Sequence, residues 1–402
     1  MTLLNYQKQR TVKSLSQWPV FEKDEQKAVL RVLASGKVNY WTGAECRAFE
    51  KEFAGHIGVD HAIALANGSV ALELALKSLH IGPGDEVVVT PRSFIASVSC
   101  VVNVGATPVF ADVDEDSGNI TAETISRVLS RKTRAIIVVH LAGWPCEMDS
   151  IMRIAREHRI YVIEDCAQAH GAEYKGRRVG SIGHLGTWSF CQDKIMTTGG
   201  EGGMITTNHK KIWSAAWSYK DHGKSYDYVQ KALSSQDRQF RWVHGSFGTN
   251  YRMIEMQAAI GRIQLKKLEG WHKRRKFNSL SILSAAASCS ALRVPTVPQH
   301  IEHAWYRCYV YVRPEALKKQ WSRERILQEM NQRHVPCYSG ICPEIYLEKA
   351  FSRCTFRPKQ RLKMASILGQ TSLMFFVHPT MTDAETSKTC DVLKEVMKQA
   401  GR

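Results

Sequence analysis

Among the basic residues of this 402-residue chain, Lys194 stands out by its surroundings. It lies in "SFCQDKIMTTGGEGG", with Ser189 five residues before it and a glycine-rich turn directly after it. The stretch reads as irregular chain between two short strands. On its own, "GGEGG" is a turn and the lysine a solvated cation. Three other segments carry groups that could act with it. "VIEDCAQAHGA" puts Asp165 directly after a buried apolar strand, where a carboxylate needs a cationic or hydrogen-bonding partner, and Gln168 follows three residues on. "ANGSVALELAL" puts Gly68, Ser69 and Val70 at the start of a helix, where free N–H groups and the helix dipole favour an anion. "PRSFIAS" puts Phe94 at a strand end. Each has a plainer reading: a structural ion pair or capped turn for Asp165, an N-cap through Asn67 or Ser69, a core position for Phe94. Taken together, a phosphate site, a buried acid, an aromatic face and a lysine match the needs of pyridoxal phosphate. The lysine forms a Schiff base with the aldehyde, and the acid keeps the pyridinium nitrogen charged so that the ring accepts electrons. Such an amine must lose its proton readily, which partial burial beside cations encourages.

The elements that carry these groups alternate. From about residue 60, "HAIALA", "VVVTP", "TPVFADVD", "RAIIVVHLAG" and "IYVIEDC" read as strands. Between them "SVALELALKSL", "SFIASVSCVVNVG", "TAETISRVLS" (opened by Thr121) and "MDSIMRIAREH" read as helices. Strands apolar on both faces that alternate with helices predict an α/β fold with a mostly parallel central sheet covered by helices on both sides. Ligands of such sheets sit beyond the carboxyl ends of the strands, where all the groups above fall. After "GMITTN" the pattern changes. A helix is expected from Arg252 to about Leu280, then a half-exposed strand in "WYRCYVYVRP", a helix in "RERILQEMNQRH", a strand in "TSLMFFVHP" and a terminal helix from Asp383. The expected division is a large α/β domain over residues 1–265 and a smaller C-terminal α+β domain over 266–402, joined by the long helix. The extreme N-terminus is allowed to pack with the small domain.

The totals narrow the class. Eleven cysteines at scattered spacings make neither a disulfide framework nor a metal site, and fit reduced thiols in a cytoplasm. No apolar run suits a membrane span, and the first residues read without an apolar signal core, so secretion is not expected. The net charge of +17 suits either a nucleic-acid binder or an enzyme of phosphorylated substrates. The densest basic stretch, "KKLEGWHKRRK" (Lys266 to Lys276), reads as the solvated end of the long helix, and no nucleic-acid-reading motif accompanies it.

Five ordered blocks make the chain resemble the DegT/DnrJ/EryC1/StrS family of pyridoxal phosphate-dependent sugar aminotransferases. They are "NGSVALELALKSLHIGPGDEVVVTPRSFIAS", "GATPVFADVD", "VIEDCAQAHGAEYKGRRVGSIGHLGTWSF", "SFCQDKIMTTGGEGGM" and "GTNYRMIEMQAAIGRIQL". The resemblance implies the type I aspartate-aminotransferase fold. It implies Lys194 as the Schiff-base lysine, Asp165 facing the pyridine nitrogen, Gln168 near the phenolic oxygen and Phe94 over the ring. Gly68, Ser69, Val70 and Ser189 would hold the phosphate, joined by Asn250 from a neighbouring subunit of a homodimer with shared active sites. The implied substrates are glutamate and a nucleotide-linked ketosugar, whose diphosphate would suit a basic surface. An aminocyclitol or polyol ketone as acceptor, and a non-catalytic regulator or nucleic-acid-binding protein, are the alternatives. Three departures stand out: an extra glycine in "TTGGEGG", Arg92 where smaller or apolar residues are usual, and Lys220 where arginine is common. Neither Arg92 nor Lys220 is given a substrate role.

Overall fold

The computed structural model describes residues 15–234 and 242–402. Its large sheet is built from β1 (His61–Leu65), β2 (Glu86–Val89), β3 (Thr107–Phe110), β4 (Thr133–Val139) and β5 (Tyr161–Asp165), together with two strands that follow a short hairpin. The hairpin is β6 (Glu173–Tyr174) and β7 (Arg177–Arg178), and the two strands are β8 (Leu185–Ser189) and β9 (Gly203–Thr207). The strand order is β1-β9-β8-β5-β4-β2-β3. Only β9 runs antiparallel to its neighbours, β1 and β8; the other pairs are parallel. Every residue of β8 and β9 is buried, as are nearly all of β4 and β5. Helices on both faces explain why these strands read as continuous apolar runs.

Covering helices form where the apolar spacing asks for them. Met148–His158 buries Met148, Ile151, Ile154 and Ala155, one face at helical spacing, and stops at Arg159 in a left-handed conformation. Ala122–Ser126 is short but starts as expected: Thr121 accepts from the Thr124 N–H, and the Thr124 hydroxyl accepts in return from the Thr121 N–H. Among the described residues no helix is long and apolar enough to cross a membrane.

The C-terminal half is organised by one helix, Glu255–Ala287. At 33 residues it is roughly 50 Å long. It runs through the basic stretch and continues seven residues past the expected end near Leu280. That stretch is also not a free solvated face: Lys267 pairs with Glu22, Asp24 and Glu25, Arg274 with Asp383, and Arg275 is fully buried. Beyond the helix, β10 (Leu292–Arg293), β11 (Ile301–Glu302), β12 (Cys308–Val312), β13 (Cys337–Tyr338) and β14 (Ser372–Phe375) follow. Four of them make an antiparallel sheet in the order β10-β12-β14-β13, while β11 joins β6 and β7. The β12 alternation is real, but the strand is buried rather than half-exposed. Cys308, Val310 and Val312 enter the small-sheet core, and Tyr309 and Tyr311 cover the Arg92 guanidinium from the other face. Near the N-terminus, Ser16 bonds to Glu385, and Trp18 packs against Trp271 and His378.

Candidate active site

The carboxyl ends of β1, β2, β5 and β8 lie on one edge of the large sheet, because these strands share a direction. That edge gathers the chemistry-bearing residues. After β8 the chain turns sharply: the Lys194 N–H donates to the Cys191 carbonyl at 3.0 Å, and the indole of Trp18 donates to the Lys194 carbonyl at 3.0 Å. The Lys194 side chain is 16% exposed, with its amine 3.3 Å from Asp193 Oδ1 and 5.2 Å from the Tyr306 ring centre. Burial disfavours the ammonium form, but the neighbouring Tyr306 and Asp193 outweigh it and hold the pKa above the ordinary lysine value. The lysine is therefore buried as expected, but beside Asp193 rather than beside cations, so its proton is held more firmly than expected.

Asp165 closes β5 and is 4% exposed. Its Oδ2 accepts from the Ser97 hydroxyl at 2.7 Å and its Oδ1 from the Ala167 N–H at 3.2 Å. Burial raises its pKa against the opposing effects of these bonds and of the Lys194 charge. A buried carboxylate held in this way gains most from a cationic N–H partner. The Gln168 carbonyl accepts from the Ala142 N–H at 2.8 Å, which fixes the amide and leaves its NH2 side as the donor.

Directly behind Asp165 lies a network that the sequence did not disclose. Glu164, fully buried, accepts from the N–H groups of Gly180, Ile182 and Gly183 at 2.9, 2.8 and 2.6 Å. The His140 ring completes it: Nδ1 accepts from the Cys146 N–H, so Nε2 carries the proton and donates to Glu164 at 3.0 Å. Burial alone would raise the Glu164 pKa, but His140 and the backbone donors bring it below the ordinary value. The only sequence signal was a second acid in "VIEDC", and its partners lie at least sixteen residues away.

Gly68 opens the helix Gly68–Ser78 against Ser189 at the end of β8. A methyl group on Gly68 would stand 2.6 Å from Ser189 Cβ and 3.1 Å from its Oγ, so the glycine is what allows the helix start and the serine to meet. Asn67 caps the helix by accepting from the Val70 N–H at 3.0 Å. Val70, expected to give a third N–H to an anion, spends it on this cap, which leaves the Gly68 and Ser69 N–H groups beside the Ser189 hydroxyl.

The remaining residues divide. Phe94, read alone as core, is 62% exposed, because the chain after β2 leaves the sheet edge before its helix begins at Ala96. Asn250 is exposed and accepts from the Arg252 N–H of its own chain at 3.2 Å. Arg92 is 1% exposed over the rings of Tyr309 and Tyr311. Lys220 is fully buried, 3.6 Å from the Tyr40 ring centre and 3.7 Å from Glu50. Both departures from the family pattern are thus packed into the protein. The extra glycine has a backbone reason: Gly199 and Gly200 both have positive φ, +90° and +130°, and make the return from the lysine turn to β9.

These groups fit pyridoxal phosphate. Asp165 offers an acid with unmet demand for a cation, the helix start offers two N–H groups beside a hydroxyl, and Lys194 offers a buried amine at the same sheet edge. The profile of the family described as DegT/DnrJ/EryC1/StrS aminotransferase matches residues 19–394. Among solved structures, the aminotransferase from Psychrobacter cryohalolentis is 56% identical, with a TM-score of 0.94, covering 96% of this chain and 99% of that one. The dTDP-3-amino-3,4,6-trideoxy-alpha-D-glucose transaminase of Streptomyces venezuelae is 31% identical over 92% of this chain and 90% of its own. The GDP-perosamine synthase of Escherichia coli O157:H7 is 31% identical over 90% and 91%.

Proposed function

The chain belongs to the DegT/DnrJ/EryC1/StrS aminotransferase family and depends on pyridoxal phosphate, and from that premise we propose that it moves an amino group from glutamate to a nucleotide-linked ketosugar. The observation that carries the reading is the meeting of Lys194, Asp165 and the Gly68–Ser189 contact on one sheet edge. Relatives that act on dTDP- and GDP-linked sugars along nearly their whole length support the acceptor.

When bound, pyridoxal phosphate supplies a ring that takes up the charge left on the carbon that loses its proton. Gly68 and Ser69 N–H groups and the Ser189 hydroxyl would hold the phosphate. Asp165, kept in line by Ser97 and by the Ala167 N–H, would keep the ring nitrogen protonated. Gln168 would donate its amide N–H to the phenolic oxygen, and Phe94 would fold over the ring and exclude water. The Nζ of Lys194 takes the proton from the α-carbon of glutamate as a base and later returns one as an acid. 2-Oxoglutarate leaves in the first half of the cycle and the amino sugar in the second. A second copy of the chain would bring Asn250 to the phosphate. Support for that comes from exposed apolar surface on the same segment: Trp242 and Phe247 are 90% and 99% exposed.

The test is turnover. Purified enzyme with glutamate and a panel of nucleotide-linked ketosugars should release 2-oxoglutarate with at least one acceptor. Turnover with polyol ketones alone would overturn the sugar assignment.

A further inference from the structure

Asp193 is adjacent to Lys194 in sequence, yet both side chains point to the same side because the turn closed by the Lys194 N–H on Cys191 folds the chain back. Its two carboxylate oxygens are divided. Oδ2 accepts from the Tyr306 hydroxyl and lies 3.6 Å from the Arg307 guanidinium, while Oδ1 faces the Lys194 amine at 3.3 Å. The far side of the network is tied by several contacts. Arg307 donates to the Tyr306 carbonyl at 3.1 Å and to its hydroxyl at 3.2 Å, and stacks on the rings of Tyr306 and Phe376. Tyr306 is 5% exposed. Residues separated by more than a hundred positions thus meet on the carboxylate next to the lysine.

We propose that Asp193, held by Tyr306 and Arg307, is a positioning residue that fixes the Lys194 nitrogen and stabilises positive charge on it. The proposal rests on Lys194 being the cofactor-bearing lysine. Other charged or titratable groups face the same nitrogen: Cys191 on its own segment, Asp165 at the end of β5 and His170 from the chain after it. Arg275, on the long helix, acts on Tyr306, Arg307 and His170 from behind. Asp193 is the one acid among them whose carboxylate lies within ion-pair distance of the amine.

The holoenzyme reports this charge directly, because the visible band of bound pyridoxal phosphate shifts when the nitrogen linking it to lysine gains or loses a proton. In a pH titration of that band, Asp193→Asn should lower the midpoint by about one unit, a tenfold loss of proton affinity. Asp193→Glu, which keeps the charge, should restore most of the shift, and Tyr306→Phe should move the midpoint in the same direction by less. An Asp193→Asn midpoint equal to the wild-type value overturns the proposal. Borohydride reduction separates the two ways of failing. Cofactor fixed on Lys194 with an unmoved midpoint refutes the role of Asp193 alone. Cofactor fixed on another lysine refutes the assignment of Lys194, and the role of Asp193 with it.

Discussion

Gly68→Ala is a one-methyl test of the phosphate site. The added Cβ would sit 2.6 Å from Ser189 Cβ, about 1 Å inside ordinary van der Waals contact. Ser189 cannot easily yield, since it ends a fully buried strand paired on both sides, to β5 and to β9. The helix start must therefore move away, taking the Gly68 and Ser69 N–H groups with it. Each hydrogen bond to a charged group is worth about 1.5–3 kcal/mol, so losing one weakens phosphate binding roughly ten- to a hundredfold. The assay is a pyridoxal phosphate titration followed by absorbance, with pyridoxal as a control that has no phosphate to lose. Wild type should prefer the phosphorylated form strongly, and Gly68→Ala should lose most of that preference. A variant that melts like wild type and binds pyridoxal phosphate as tightly would refute the reasoning.

Three further outcomes follow from the same geometry. Glu164→Gln leaves a neutral amide where three N–H groups and His140 converge on a carboxylate, and should cost about 3–5 kcal/mol in denaturant unfolding. His170, His303 and His378 are buried, and burial holds each pKa at about 3, helped at His170 by Lys194 and Arg275 and at His378 by Arg275 and Arg307. Their neutral forms contribute full stability above the unfolded-state value near 6.5, and this is lost as pH falls from there toward the folded-state value. The melting temperature should accordingly drop steeply between about pH 6.5 and 4, before the carboxylates titrate, and less steeply in a His170→Phe variant. Gly199→Ala places a side chain at φ +90° with its Cβ 2.8 Å from Ile260 Cδ1, and should lower stability by about 1–3 kcal/mol in the same unfolding assay.

What the sequence disclosed and what it withheld separate along a physical line. The places of Asp165 and Lys194 at one sheet edge were legible because the strands that lead to them are local apolar patterns in a mostly parallel sheet. Met148–His158 was legible for the same reason, its apolar spacing being complete within eleven residues. Pairings between distant segments were not. Nothing near Glu164 announces His140, and nothing near Asp193 announces Tyr306 and Arg307, since these contacts exist only once the sheet has closed. The basic stretch of the long helix is not simply solvated because Lys267 and Arg274 find acids on other elements, which no local charge count can anticipate. Nothing local to Arg92 announced its burial, because a strand-end arginine is normally solvated; two tyrosines of β12 take it out of water instead. The cap on the phosphate turn could be read as Asn67 or Ser69 from the sequence, and only the fold shows Asn67 reaching forward three residues to the Val70 N–H.

The central claim is that Lys194 carries the cofactor, and borohydride reduction followed by peptide mapping tests it most directly. The reduced holoenzyme should carry one pyridoxyl group per chain, on Lys194, and Lys194→Ala should carry none and transfer no amino group. A pyridoxyl group found on any other lysine, or transamination that survives in Lys194→Ala, would contradict it.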